Sequence, residues 1–112
     1  VAIHVLTAQP EQLLQAIRYE IAEGHISTWA RDEDGDFTHT HTQWQKRAWL
    51  RPQTLVGELR LNIIAPLEHA LTTEMYAIYH GRFIEMLLAH FDNQFYQANA
   101  SALPDPGDIV GA

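Results

Sequence analysis

The stretch TEMYAIYHGRFIEMLLAHFDNQFY, residues 73–96, decides the fold. It lacks proline, and Tyr76, Tyr79, Phe83, Leu87, Phe91 and Phe95 recur at three- and four-residue steps. At about 100° per residue, that spacing sets them on one side of an α-helix. Met75, Ile84, Met86 and Leu88 widen the apolar arc to well over half the circumference. A helix lying on one sheet needs a narrower stripe. The excess predicts a further cover: a first helix, the C-terminal segment, or a second copy of the chain.

Working outward, the chain before this helix reads as sheet. Ile26 to Arg31 is rich in β-branched and aromatic residues, and an acidic run from Asp32 to Asp36 follows. Asp34-Gly35 is a preferred pair for a two-residue hairpin turn, with Phe37 to Trp44 as the return strand. Arg47 to Arg51 is a further short strand stopped by Pro52, and Thr54 to Ile64 is the longest strand candidate, closed by Pro66. Upstream of the sheet, Val1 to Leu6 alternates as a short strand. Pro10 then opens a helix carrying Leu13, Leu14, Ile17 and Ile21, which Gly24 ends. The order β-α-β-β-β-β-α predicts an α+β two-layer sandwich, with an antiparallel sheet of about four to five strands, a short N-terminal helix and a long C-terminal one. Residues 1–98 are expected to form the single domain. Ser101, Pro104, Pro106 and Gly107 predict that residues 99–112 form a flexible tail.

Composition narrows the functional classes. The 112 residues are 46% hydrophobic and 19% charged, which fits one folded domain rather than a disordered chain. No apolar run approaches the ~20 residues of a membrane-spanning helix, so no membrane partner is expected. Cysteine is absent, which excludes disulfides, thiolate metal sites and cysteine nucleophiles. With no basic leader ahead of a short apolar stretch, a cytoplasmic location is expected. A net charge of −7 disfavours wholesale nucleic-acid binding, and Arg82 stands alone against the acids of the C-terminal third.

Four groups of residues carry possible chemistry. His39 and His41, two apart on an expected strand, would leave one face together, which suits two ligands of zinc or nickel. Cysteine is lacking, and the two-residue turn register sets Ala30 and Thr28 opposite them. The pair is therefore expected to be part of a half-exposed strand, with no dedicated metal site. The alternation of Asp32, Asp34 and Asp36 resembles a calcium loop, but Phe37 and Gln43 stand where that loop wants glycine and glutamate. An acidic turn is the expected reading. His80 and His90 fall inside the apolar arc of the long helix. His80 is the weak catalytic candidate, a general acid–base oriented by Glu58 or Glu85; a satisfied core histidine is the plainer expectation. Finally, Arg47, Trp49 and Arg51 share one parity. If Ala48 and Leu50 face the core, they form a guanidinium–indole–guanidinium ladder able to hold an anion, against the plainer reading of cation–π packing on a solvated face.

No phosphate loop, dinucleotide fingerprint, zinc-protease or nucleophile-elbow motif occurs. The expectation is a small non-enzymatic interaction module without a cofactor, a homodimer whose long helix forms much of the contact. Two alternatives belong to other classes. One is a small-molecule binder or enzyme with a pocket between sheet and long helix, walled by Trp29, Trp49, Tyr76, Tyr79 and Phe83, with His80, Arg47 and Glu58 as polar groups. The other is an acidic inhibitor of a basic partner, which predicts salt-sensitive binding.

Overall fold

The computed structural model describes residues 1–111. The elements are β1 (Ala2–Leu6), α1 (Pro10–Ala22), β2 (Trp29–Arg31), β3 (Phe37–His39), β4 (Trp49–Leu55), β5 (Glu58–Ile64), α2 (Thr73–Phe91) and β6 (Gln97–Ala100). They form one antiparallel sheet in the order β2-β3-β4-β5-β1-β6 with two helices, an α+β fold with the expected element order. The sheet has six strands rather than four to five, because the chain after α2 returns as β6 alongside β1.

Alternation along the strands sets the core. Ile3, Val5, Leu59, Leu61, Ile63, Leu50 and Phe37 share one face and are fully buried. Leu13, Leu14 and Ile17 of α1 pack there, with Tyr79, Phe83, Met86, Leu87 and Phe91 of α2. Phe83 sits between Trp29, at 5.0 Å between ring centroids, and Phe37, at 5.7 Å. Pro10 starts α1 where a missing N–H costs nothing, and Gly24 follows the helix with φ +79°. Thr72 caps α2 by accepting from the Met75 amide at 3.2 Å.

Much of the wide apolar arc of α2 is covered from within the chain. The Tyr79 hydroxyl donates to the Trp44 carbonyl in the loop after β3, and the Leu71 amide donates to Val110. Leu88, 56% exposed, is the large apolar residue of α2 left facing out, and His90, expected in the arc, is exposed too.

β3 ends at His39, short of Trp44, and α2 ends at Phe91, short of Tyr96; three further differences from expectation have a reason in the nearby structure. The β2–β3 turn has three residues, Glu33 to Gly35, inside the closing pair Asp32 and Asp36, not two. Asp32 and Asp36 close it through Asp32 N–H to Asp36 O at 2.8 Å, the Gly35 amide turns back to Asp32 at 3.0 Å, and Gly35 takes φ +87°. The Asp32 carboxylate accepts the amides of Asp34 and Asp36 at 3.0 and 2.8 Å, an Asx turn that outcompetes the Asp34-Gly35 one. The register shifts by one, so that His39 faces Trp29 and Thr38 faces Ala30. Secondly, Pro52 lies inside β4 rather than ending a strand. β3 meets β4 only at Phe37–Leu50, so beyond Leu50 that edge of β4 is unpartnered and tolerates a residue without an N–H. Thirdly, the long strand expected over Thr54 to Ile64 breaks at Val56-Gly57, the turn between β4 and β5, with Gly57 at φ +75°.

The expected domain end at residue 98 falls inside β6; residues 105–108 lie over the second face of the sheet, and Ile109 pairs in parallel with the end of β5. Asp108 accepts from the Asn62 side chain at 2.8 Å and the Ile63 amide at 3.1 Å, while the Ile109 amide donates to Ile63 at 2.9 Å. Gly107, at φ +100°, lies so close to Asn62 that a Cβ there would stand 2.9 Å from its Oδ1. Proline and glycine shape this segment to the sheet. No helix among the described residues is long and apolar enough to cross a membrane.

Candidate functional site

Three segments meet at one end of the sheet, on the face turned away from the helices. The strands contribute Arg51 and the cross-strand neighbours Trp49 and Ile64. The β2–β3 hairpin adds Asp32, Asp34 and Asp36, and the loop after β5 adds Ala65, Pro66, Leu67, Glu68 and His69. Together they line a cleft of about 550 Å³. Its floor is apolar and its rim acidic. Trp49 is half-buried, and Leu67 is fully exposed.

The electrostatics are set by one ion pair. Arg51 donates from Nε and Nη2 to the two Asp36 oxygens at 3.1 and 2.9 Å, and Asp36 is 3% exposed. This fork raises the Arg51 pKa, with burial opposing and the charges of Asp36, Asp34 and Asp32 assisting. Arg51 is thereby neutralised. Four carboxylates against one guanidinium give the lining an excess of three negative charges. An indole floor under a carboxylate rim favours a cation on an apolar stem and repels an anion.

The residues singled out from sequence distribute as follows. Trp29, Tyr79 and Phe83 come together in the core, each at most 2% exposed, and His80 is buried as well at 4%. Tyr76 packs edge-on to His80 at 5.9 Å between centroids. Trp49 and Glu58 lie on the opposite face of the sheet, so they do not join a pocket with them. Arg47 is exposed ahead of β4, and the three-residue ladder does not form because β4 begins at Trp49; Ala48 and Leu50 do face the core. His80 lines none of the five main clefts, and neither ring nitrogen has a hydrogen-bond partner. Burial pushes its pKa down, while the nearby Val1 backbone works the other way without reaching hydrogen-bond geometry.

His39 and His41 do not share a strand face, because β3 stops at His39. Each instead uses Nδ1 to accept a backbone amide two residues on, His41 N–H and Gln43 N–H, both at 3.1 Å. Burial lowers the His39 pKa, with help from Arg82 and His41. Among the described residues, no three His, Asp or Glu side chains are arranged so that they could hold a metal ion.

A second polar cluster holds the C-terminal segment to the sheet. His4 lies between Glu58 and Asp105, at 2.7 Å from each, and Ser101 donates to Asp105 at 3.0 Å. Burial alone would lower the His4 pKa, but the two carboxylates outweigh it and raise it. Burial likewise opposes the Glu58 charge, and the hydrogen bonds from Arg60 and His4 overcome it to hold the carboxyl down. Asp105 is lowered chiefly by its hydrogen bond to His4.

Sequence reasoning missed the acidic cleft because its parts lie at 32–36, 49–51 and 64–69. The one signal present was Asp32-Glu-Asp-Gly-Asp36, whose role in a rim depends on which loop stands opposite. Comparison with known proteins adds no name to this geometry: no family model, no curated protein and no solved structure matches the chain.

Proposed function

We propose that this chain is a non-enzymatic interaction module that receives a lysine or arginine side chain of a basic partner in the Trp49 cleft. One observation carries the reading. The only guanidinium in the cleft lining is already held by Asp36, which leaves Asp32, Asp34 and Glu68 around an accessible indole. An incoming ammonium or guanidinium finds an aromatic face worth about 0.5–1 kcal/mol at an exposed site. The acidic rim and a net charge of −7 add steering from a distance. Apolar residues at Pro66 and Leu67 suit the methylene stem that carries the charge.

The test is calorimetric titration with a lysine-rich peptide, with a glutamate-rich peptide as control. Binding is expected for the basic peptide only, and it weakens as salt is raised. Trp49→Ala and the double substitution Asp34→Asn/Glu68→Gln each lower affinity by about fivefold. Affinity indifferent to salt, or unchanged in both variants, refutes the reading.

A further inference from the structure

The two edges of the sheet are unlike. β2 is three residues long, carries Arg31 and runs straight into the acidic hairpin, which are ordinary protections against edge pairing. β6, Gln97-Ala-Asn-Ala100, is terminal in the sheet and has neither charge nor proline. The segment that follows it turns across the face of the sheet toward His4 and Asn62, not along the β6 edge.

The pairing of β1 fixes which backbone groups β6 leaves open. Thr7 donates to Gly57, so odd residues of β1 bond to β5; the Ser101 amide donates to Ala2, so even residues bond to β6. In the β1–β6 register, Asn99 lies opposite His4 and Gln97 opposite Leu6, which directs their amides inward. The N–H and C=O of Ala98 and Ala100 therefore point outward. An antiparallel pair centred on Asn99 sets Ala98 of one strand against Ala100 of another, so these groups answer one another in four hydrogen bonds. That arrangement is its own two-fold mate. It also leaves Tyr96 of each copy, 79% exposed, beside the end of the other copy's strand.

We infer that β6 is a self-association edge: two copies of this chain pair β6 against β6 about a two-fold axis at Asn99, making one continuous twelve-stranded sheet. A second copy is the occupant because the outward groups of Ala98 and Ala100 answer one another about a two-fold axis, and because the edge lacks the charges that would select a foreign strand. The contact is small, so the dimer belongs to the weak class, with a dissociation constant on the order of micromolar. Both copies carry −7, so screening strengthens this dimer, whereas it weakens capture of a basic partner. The inference stands apart from the proposed cleft function, since β6 lies at the sheet edge remote from β2 and β3.

Sedimentation velocity on the intact chain, from low to high micromolar and in rising salt, tests it. A monomer–dimer equilibrium that salt strengthens is expected. Ala98→Pro deletes an outward N–H while sparing the β1 ladder, and is expected to weaken the dimer by about tenfold or more with the circular dichroism spectrum unchanged. Should that variant misfold, Tyr96→Ala gives a weaker dimer without touching the backbone. Hydrogen exchange on the unaltered chain reads the same edge: the amides of Ala98 and Ala100 gain protection with concentration. A strict monomer, a dimer indifferent to these substitutions, or larger open polymers overturn the inference.

Discussion

Replacing His80 by leucine should make this protein more stable, against the usual direction for a core substitution. The imidazole is 4% exposed, packed edge-on to Tyr76, and neither nitrogen is hydrogen-bonded. A buried polar group without a partner costs about 1–3 kcal/mol relative to its hydrated unfolded form, and leucine removes that cost while filling a similar volume. For a domain near this size, each kcal/mol is worth about 4–8 °C in Tm. The gain should also depend on pH. Burial holds the folded pKa below the ordinary 6.5, so the unfolded chain binds the extra proton. The parent is thus fully stable with respect to this group above 6.5 and loses stability as pH falls through that value. Urea unfolding of parent and His80→Leu at pH 8 and pH 5 should show a gain at both, larger at pH 5. A loss of stability at pH 8, or a gain independent of pH, would mean that the imidazole is partnered or solvated.

His4 should act with the opposite sign. Its raised pKa makes the bonds to Glu58 and Asp105 strongest when it is protonated, so hydrogen-exchange protection of residues 101–110 should fall as pH rises through that pKa. At the acid end it should fall again, as the depressed carboxyls of Glu58 and Asp105 take up protons. Phe83→Ala removes a fully buried ring from between Trp29 and Phe37 and should cost about 3–5 kcal/mol by urea unfolding; a cost under 1 kcal/mol would place the core elsewhere. Asp32→Ala deprives two amides of their acceptor and should cost about 1 kcal/mol, with nuclear magnetic resonance shift changes confined to the β2–β3 hairpin.

The periodicity of α2 and the alternation of β1 and β5 were legible because local spacing and burial agree there. Leu59, Leu61 and Ile63 share a parity and are all buried. Where two local solutions compete, sequence is a weaker guide. Asp34-Gly35 and the Asp32 Asx turn differ by one residue, and that residue decides that His39 faces Trp29. Pro52 is admitted to β4 by the shortness of β3, a non-local fact. Val56 is no turn former, yet it tops the β4–β5 hairpin because Gly57 supplies the positive φ. The C-terminal segment looks like a tail by composition, and what holds it is Asn62 and His4, far away in sequence. The acidic cleft has the same character.

The place of β1 between β5 and β6 bears on how the chain folds. It precedes every other strand in chain order, yet its neighbours in the sheet are β5 and β6. About 50 residues separate Leu6 from Glu58, and about 90 separate it from Gln97. At ribosomal rates of about 5–20 residues per second, Ala2–Leu6 waits seconds for a first partner and longer for a second. The loops to be closed are long, so folding belongs to the slow, millisecond-to-second class despite two helices that form quickly alone. In the interval, an apolar strand with both edges bare is the segment a chaperone has most reason to hold.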